Sequence, residues 1–379
     1  MIPPGCSIGV LGGGQLGMFF TVAAQKMGYR VVVWDPNPEA PAHSIADTFI
    51  GAPFHDSQAM LSFISYVQGV TLEWENIPAD LVSEIEKKIR TTPRSVILRL
   101  LQNRDTQKTF LHSHGLKVAS FYSFQNPEKL TEYAHPLGLP CIIKTALSGY
   151  DGQGQWQITK DEQIPERIEL LKNKPSPSGW IVEKKIDFQK ELSVIVVRGD
   201  SGEILTYPVA ENIHEQGILR ISCIPARINE EEAHRATLLA TEAVGKLKGS
   251  GIFCVEMFLE KNGELLINEI APRPHNSGHY TMDVCSVSQF EQQVRVLCGL
   301  PLIAPKLLSP AVLVNILGLE INKLTEEILS IPNIRLYDYK KSVVKSGRKM
   351  GHILVVNSDI EKAMEQAITL ANRLNPLAS

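Results

Sequence analysis

Gly251-Ile-Phe-Cys254-Val-Glu256-Met-Phe-Leu-Glu260-Lys261-Asn262-Gly263-Glu264-Leu-Leu-Ile-Asn268-Glu269-Ile-Ala271-Pro272-Arg273-Pro-His275-Asn276-Ser277-Gly278-His279 is two apolar runs around an Asn-Gly pair. Asn-Gly between such runs predicts a β-hairpin with a two-residue turn. If Lys261 pairs with Glu264 across that turn, counting outward sets Glu256 opposite Glu269, with both side chains on one face roughly 5 Å apart. Two bare carboxylates there repel each other. A hard divalent cation is the usual remedy, and Mg²⁺ held by one or two carboxylates while it grips substrate phosphates is a common arrangement. The alternative is a solvent-facing hairpin whose charges are hydrated, and a register slip of one residue would part the pair.

Outward from the hairpin, the middle of the chain is strand-rich. Cys141–Lys144, Trp180–Glu183, Leu192–Arg198 and Ile204–Val209 read as strands and Glu230–Lys248 as a helix, a mixture that argues α+β. The N-terminal part differs. Ser7–Leu11 is an apolar strand, Gly12–Gly17 a glycine turn, Met18–Met27 a helix and Tyr29–Trp34 a second strand ending at Asp35, which is a βαβ start. Thr71–Trp74 continues as a buried strand, and Ala79–Arg90 as a helix with apolar spacing at Leu81, Val82, Ile85 and Ile89. After Pro93 come helices Arg94–Gln102 and Arg104–His114; towards the end, Ala311–Leu317 and His352–Val356 read as strands and Asp359–Arg373 as a closing helix. The fold class is therefore α/β followed by α+β. The expected domains are 1–103, an open Rossmann-like parallel sheet; 104–305, with a flap subdomain at about 116–187; and 306–379, a small C-terminal domain.

A chain of 379 residues with 44% hydrophobic content can bury two or three cores. Its 38 basic and 41 acidic residues give a net charge of −3, which excludes a broad polyanion-binding surface and hence nucleic acid as a partner. A local basic pocket for one or two phosphates remains compatible. No stretch approaches a bilayer span, and the Met-Ile-Pro-Pro-Gly-Cys start lacks a signal pattern, so a cytoplasmic, membrane-free protein is expected. Six cysteines without a C-x-x-C pair suggest reduced thiols and no structural zinc.

Two glycine motifs carry candidate chemistry. Gly12-Gly13-Gly14-Gln15-Leu16-Gly17 matches G-x-G-x-x-G, with Asp35 near the place of a ribose-binding acid. It suits a dinucleotide, another phosphorylated ligand held by amides at a helix start, or a packing turn. The second is Ser148-Gly149-Tyr150-Asp151-Gly152-Gln153-Gly154-Gln155, between a strand ending in Lys144 and one around Trp156. It is either a flap whose amides cover phosphates or a plain hairpin loop. Lys108 and Lys144 supply candidate charges for phosphates, and Glu183 and Glu191, at strand ends, candidate acceptors for an adenine amine or ribose hydroxyls.

These pieces, with Asn103-Arg104-x-x-Gln107-Lys108, Glu211-Asn212-Ile213-His214, Asn268–His279 and Gly347-Arg348-Lys349-Met350-Gly351-His352, resemble the ATP-grasp ligases. Within them the likeness is to the 5-(carboxyamino)imidazole ribonucleotide synthase family of purine biosynthesis, and it runs over essentially the whole chain. The resemblance implies an ATP-grasp architecture that uses ATP and Mg²⁺ to phosphorylate bicarbonate and then carboxylate the exocyclic amine of aminoimidazole ribonucleotide. It implies an ATP site of Arg104, Lys108, Lys144, Gly149, Tyr150, Asp151, Gly152, Gln153, Gly154, Gln155, Glu183, Lys184, Lys185, Ile186, Glu191, His214, Asn268 and Glu269, with Mg²⁺ on Glu256 and Glu269. The ribonucleotide would lie on Gly14, Gln15, Leu16, Glu75, Arg273, Lys340, Arg348 and Lys349. Asp151, Arg273, His275, Asn276 and Lys349 would face the reacting groups. A homodimer that passes its product to a separate mutase is also implied.

Gln153 departs from the family pattern, which commonly has a basic residue there; Ser346, where proline is common, departs more mildly. A formate-using glycinamide ribonucleotide transformylase shares the architecture and the His275–His279 run. An NAD-dependent oxidoreductase has only the first glycine turn and Asp35 in its favour, and a catalytically silent nucleotide sensor fits the intact carboxylate pair poorly.

Overall fold

A computed structural model describes residues 1–147 and 154–374, so the expected flap residues Gly149, Tyr150, Asp151, Gly152 and Gln153 lie outside the described residues. The N-terminal part is a five-stranded parallel sheet in the order Thr48–Ile50, Arg30–Trp34, Ser7–Leu11, Gly69–Leu72, Arg90–Thr92. Its central strands are apolar on both faces, Val31 to Trp34 all being buried, as helices on both sides of a parallel sheet require. Strand order reverses between Ser7–Leu11 and Gly69–Leu72, and the crevice beyond their carboxyl ends is where open α/β sheets bind ligands.

Two local expectations shift here. The first helix begins at Gln15, three residues before the expected Met18, because extended Gly14 serves as its cap. The helix from Ala79 stops at Glu86, and Arg90–Thr92 turns into the fifth strand by pairing with Gly69–Thr71.

The central sheet has nine antiparallel strands. Its path runs Leu265–Ala271, Gly251–Glu260, Phe188–Arg198, Ala210–Glu215, Ile218–Ile224, Ala311–Leu317, Lys349–Val356, Ile334–Asp338, with Ile204–Thr206 on the flank of Phe188–Arg198. The C-terminal segment thus contributes three strands to the common sheet, although helix Ile360–Leu374 builds a core of its own with them around Val314, Ile353 and Leu370. A third, four-stranded sheet of Phe121–Phe124, Trp180–Lys184, Cys141–Thr145 and Gln155–Ile158 is backed by helices Leu130–Leu137 and Ile164–Asn173.

Helix Gln289–Cys298 fixes the parallel sheet against the rest. Phe290, Val294 and Leu297 pack into the core under helix Gln15–Lys26, and Gln293 Nε2 donates to Thr71 Oγ1 and the Leu72 carbonyl, both at 3.0 Å. Arg90 reaches back to the carbonyls of Val296 and Leu297. The crevice is therefore held rigidly towards the central sheet.

The hairpin pairs Glu256 with Glu269, but by another route than simple counting. Its loop has three residues, not two: Glu260 N–H bonds the Glu264 carbonyl at 2.8 Å, and Gly263 adopts φ +82°. Lys261 therefore does not pair with Glu264. That shifts the register by one for Met257–Leu259, and an extra residue, Asn268, bulges between Ile267 and Glu269 and shifts it back.

Candidate active site

A cleft of about 960 Å³ opens where the crevice of the parallel sheet meets the other two sheets. Glu256 and Glu269 face it from the hairpin. Burial and then the charge of Glu269 push the Glu256 carboxyl up to about 7, the mark of an acidic pair without enough cation beside it. Arg104 Nη2 lies 4.0 Å from Glu269 Oε2. An all-oxygen, doubly acidic donor set opening on a cleft fits a hard divalent cation such as Mg²⁺.

At the four-stranded-sheet end, Glu183 receives both Lys108, at 2.8 Å, and Lys144 on its two carboxylate oxygens. All three side chains are at least 90% buried. Burial favours the neutral acid, yet the two ammonium groups outweigh it and hold Glu183 down to about 2. Lys108 does not line the cleft: it sits behind Lys144 and also reaches the Asn268 carbonyl at 3.4 Å, so its charge is committed to Glu183 and not to a phosphate. Glu183 is equally committed. Lys144, Gln155, Glu183, Lys184, Lys185 and Ile186 line the cleft, while Gly154 does not. Phe188 and Phe258, stacked with centroids 4.8 Å apart and planes 9° off parallel, add a flat apolar wall beside Ile142 and Met257. Beyond them His214 Nδ1 bonds the Glu191 carboxylate; burial works against a charged ring, but that bond raises the His214 pKa above its ordinary value.

The first glycine turn lies on the opposite wall and is already occupied by protein. Gly13 N–H donates to Asp35 at 2.7 Å, and Gly14 and Gly17 N–H both donate to Glu73, at 2.9 and 3.0 Å. A Cβ on Gly14 would stand 2.6 Å from the Glu73 carboxylate, and one on Gly17 2.5 Å from the Gly12 carbonyl. Asp35 also caps Asn37, so it closes a turn instead of awaiting a ribose. A pyrophosphate has no room on these amides. The turn still presents Gln15 and Leu16, whose residues line the cleft.

Between the two ends, Arg273 donates through Nε and Nη2 to Glu75, so two residues expected to meet substrate grip each other. Burial raises the Glu75 carboxyl, but the Arg273 charge outweighs it and holds the group below the usual range. His275 Nε2 is 3.2 Å from Glu256 Oε1 while its Nδ1 is 2.8 Å from Ser277 Oγ. Burial, then the Arg273 and Lys349 charges, keep this imidazole neutral far below its usual pKa. Asn276 is fixed by paired amide bonds to Asn315, 3.1 and 2.7 Å, and by Tyr339 OH. Arg348 and Lys349 close the cleft from the C-terminal strands.

Lys340 is exposed at φ +51° and does not line the cleft; Lys341 does, its Nζ bonding Gln15 Oε1 and the Lys349 carbonyl, each at 2.7 Å. Strand Ile334–Asp338 has already ended, and the left-handed backbone at Lys340 leaves that residue outside while Lys341 turns in. Glu73, Lys341, Phe188 and Phe258 are the site-forming residues that sequence reasoning passed over. The Glu73-x-Glu75 spacing at the end of a buried strand was the available signal for the first.

Fold and cleft together define an ATP-grasp protein, and family models agree along the chain. Residues 109–290 match the ATP-grasp domain, 6–102 the ribonucleotide synthetase preATP-grasp domain and 311–366 the phosphoribosylaminoimidazole carboxylase C-terminal domain. N5-carboxyaminoimidazole ribonucleotide synthase of Bacillus subtilis is 42% identical over 353 residues, 93% of this chain and 92% of that one. A solved ADP complex of an N5-carboxyaminoimidazole ribonucleotide synthetase superposes with a TM-score of 0.93 at 42% identity, covering 98% and 97% of the two chains. The Aspergillus clavatus synthase solved with ADP and 5-aminoimidazole ribonucleotide gives 0.87 at 31% identity, covering 97% and 99%. The chain belongs to the N5-carboxyaminoimidazole ribonucleotide synthase family.

Proposed function

We propose that the chain is an ATP-dependent carbon–nitrogen ligase that carboxylates the exocyclic amine of 5-aminoimidazole ribonucleotide with bicarbonate, releasing ADP and phosphate. The observation that carries this reading is the Glu256–Glu269 pair facing one continuous cleft with Lys144 towards one end and Gln15, Arg348 and Lys349 at the other. One end takes the purine nucleotide against Phe188 and Phe258, with Glu191 and His214 beside it. The other takes the ribonucleotide phosphate on the Arg348 and Lys349 cations, beside the Gln15 side chain. Glu256 and Glu269 would hold Mg²⁺, which when bound would neutralise charge on the transferring phosphoryl group.

The protein's own part is positioning and charge. Lys144, held straight by Glu183, meets phosphate oxygens as a point charge. Arg273, oriented by Glu75, faces the carbonate. As the amine nitrogen bonds the carboxyl carbon and the carbon–oxygen bond to phosphate breaks, the amine proton leaves with the phosphate, while neutral His275, its Nδ1 accepting from Ser277 N–H, holds its Nε2–H towards Glu256. Lys108 supports Glu183 and touches no substrate. The reading carries with it a cytoplasmic homodimer that hands its product to a separate mutase.

Formate-dependent transformylation uses a similar cleft, so the test sets acids against each other. ADP release is measured with bicarbonate, formate or no acid, each with the matching ribonucleotide. Bicarbonate- and aminoimidazole-ribonucleotide-dependent release is the expected result; release driven by formate with glycinamide ribonucleotide overturns the proposal.

A further inference from the structure

Strand Gly251–Glu260 carries Cys254 and Glu256 two residues apart on one face, and the chain returns over that face at His275–Ser277. Sγ of Cys254, a Glu256 carboxylate oxygen and a ring nitrogen of His275 all lie within 4.8 Å of one another. His275 Nδ1 accepts from Ser277 N–H at 3.3 Å and pairs with Ser277 Oγ, itself 2.8 Å from Ser193 Oγ, which leaves Nε2 turned to Glu256; when Nε2 takes a metal the ring proton moves to Nδ1, where Ser277 Oγ can accept it. Cys254 is fully buried 4.0 Å from the same Ser277 hydroxyl and has no part in the ligase chemistry above.

We propose that Cys254, Glu256 and His275 form a second metal site that takes a borderline-soft divalent cation of the Zn²⁺ class and thereby shuts the ligase off. Thiolate and imidazole favour such an ion, whereas Mg²⁺ seeks oxygen. Ligand atoms around a tetrahedral ion at about 2.0–2.3 Å stand roughly 3–4 Å apart, so the triad closes on the ion by about 1 Å or less. Binding forms the metal–sulfur bond and releases the thiol proton to solvent. One thiolate and one carboxylate then balance the dication, so the buried assembly gains no net charge. Glu256 belongs to both sites. The two ions therefore exclude each other.

The test compares the wild-type protein with C254A and C254S. ATP turnover at fixed Mg²⁺ is titrated with Zn²⁺, each variant normalised to its own Zn²⁺-free rate, and Co²⁺ is added without substrates to read its thiolate charge-transfer absorption. Wild type should be inhibited at a Zn²⁺ concentration at least about tenfold lower than either variant, since even outer partners of a metal ligand are worth 10- to 100-fold in affinity. The Co²⁺ band should vanish in both variants. Equal Zn²⁺ sensitivity in all three proteins, or a band that survives loss of Cys254, overturns the proposal. The Co²⁺ readout needs no substrate, so its outcome is separate from the fate of the ligase reading.

Discussion

Consider Arg273→Lys and Glu75→Gln, made singly and together. The Arg273 fork delivers two parallel N–H bonds to Glu75, and both side chains are at least 80% buried, so solvent screens the pair little. Charge-assisted bonds are worth about 1.5–3 kcal/mol each. Lysine, a single point charge, makes one of the two at best, so Arg273→Lys forfeits one such increment, and Glu75→Gln forfeits a similar one by removing the negative charge. In the double variant the second change finds no fork left to break. The four proteins should therefore show a coupling of about 2 kcal/mol, roughly 30-fold, in kcat/KM for the ribonucleotide at saturating ATP. If the double variant instead falls by the product of the two single losses, to within about 0.5 kcal/mol, Glu75 does not act through Arg273 and the assignment of the pair is wrong.

Glu256→Gln and Glu269→Gln should each abolish Mg²⁺-dependent ATP turnover and leave the circular dichroism spectrum unchanged; wild-type turnover at limiting Mg²⁺ would remove the metal from this pair. Arg348→Lys should raise KM for the ribonucleotide by roughly 10- to 150-fold while barely moving KM for ATP, and equal effects on both would dissolve the two-ended cleft. Burial holds the fully enclosed His352 down at about 3, so the unfolded chain binds a proton that the folded chain refuses. Stability present above pH 6.5 is therefore lost as pH falls towards 3, by roughly 1.4 kcal/mol per unit from this ring. His352→Gln should flatten the urea midpoint against pH over that window, and an unchanged slope would assign the acid sensitivity elsewhere.

Much of the site was legible because its chemistry is local. The glycine turn, the Asn268–His279 run and the Gly347–His352 run each put several site residues on one short segment. The Glu256–Glu269 pairing was legible by a cancellation: a three-residue loop and a bulge at Asn268 displace the register by one residue each, in opposite senses. What stayed hidden depends on partners far along the chain. Glu73 meets Gly14 across 59 residues, and nothing in a glycine motif says that a carboxylate will fill it. Lys108 and Lys144 look alike in sequence; only packing decides that one backs Glu183 and the other faces the cleft. Strands Ala210–Glu215 and Ile218–Ile224 escaped because their tight turn is Gln216-Gly217, with φ of +51° and +78°, and glutamine is a poor advertisement for that geometry. Phe188 and Phe258 read as ordinary core residues until their stack is seen facing the cleft.

The bond between Gln15 and Lys341 spans 326 residues, and strand Lys349–Val356 slots between Ala311–Leu317 and Ile334–Asp338. The parallel sheet is therefore synthesised long before the wall it faces. A nascent chain emerging from the ribosome carries half a substrate cleft, with the cations of its far rim still to be translated. The site is complete only once strand Lys349–Val356 has been made, and a message cut short before it yields a protein with most of these helices and sheets and no closed cleft.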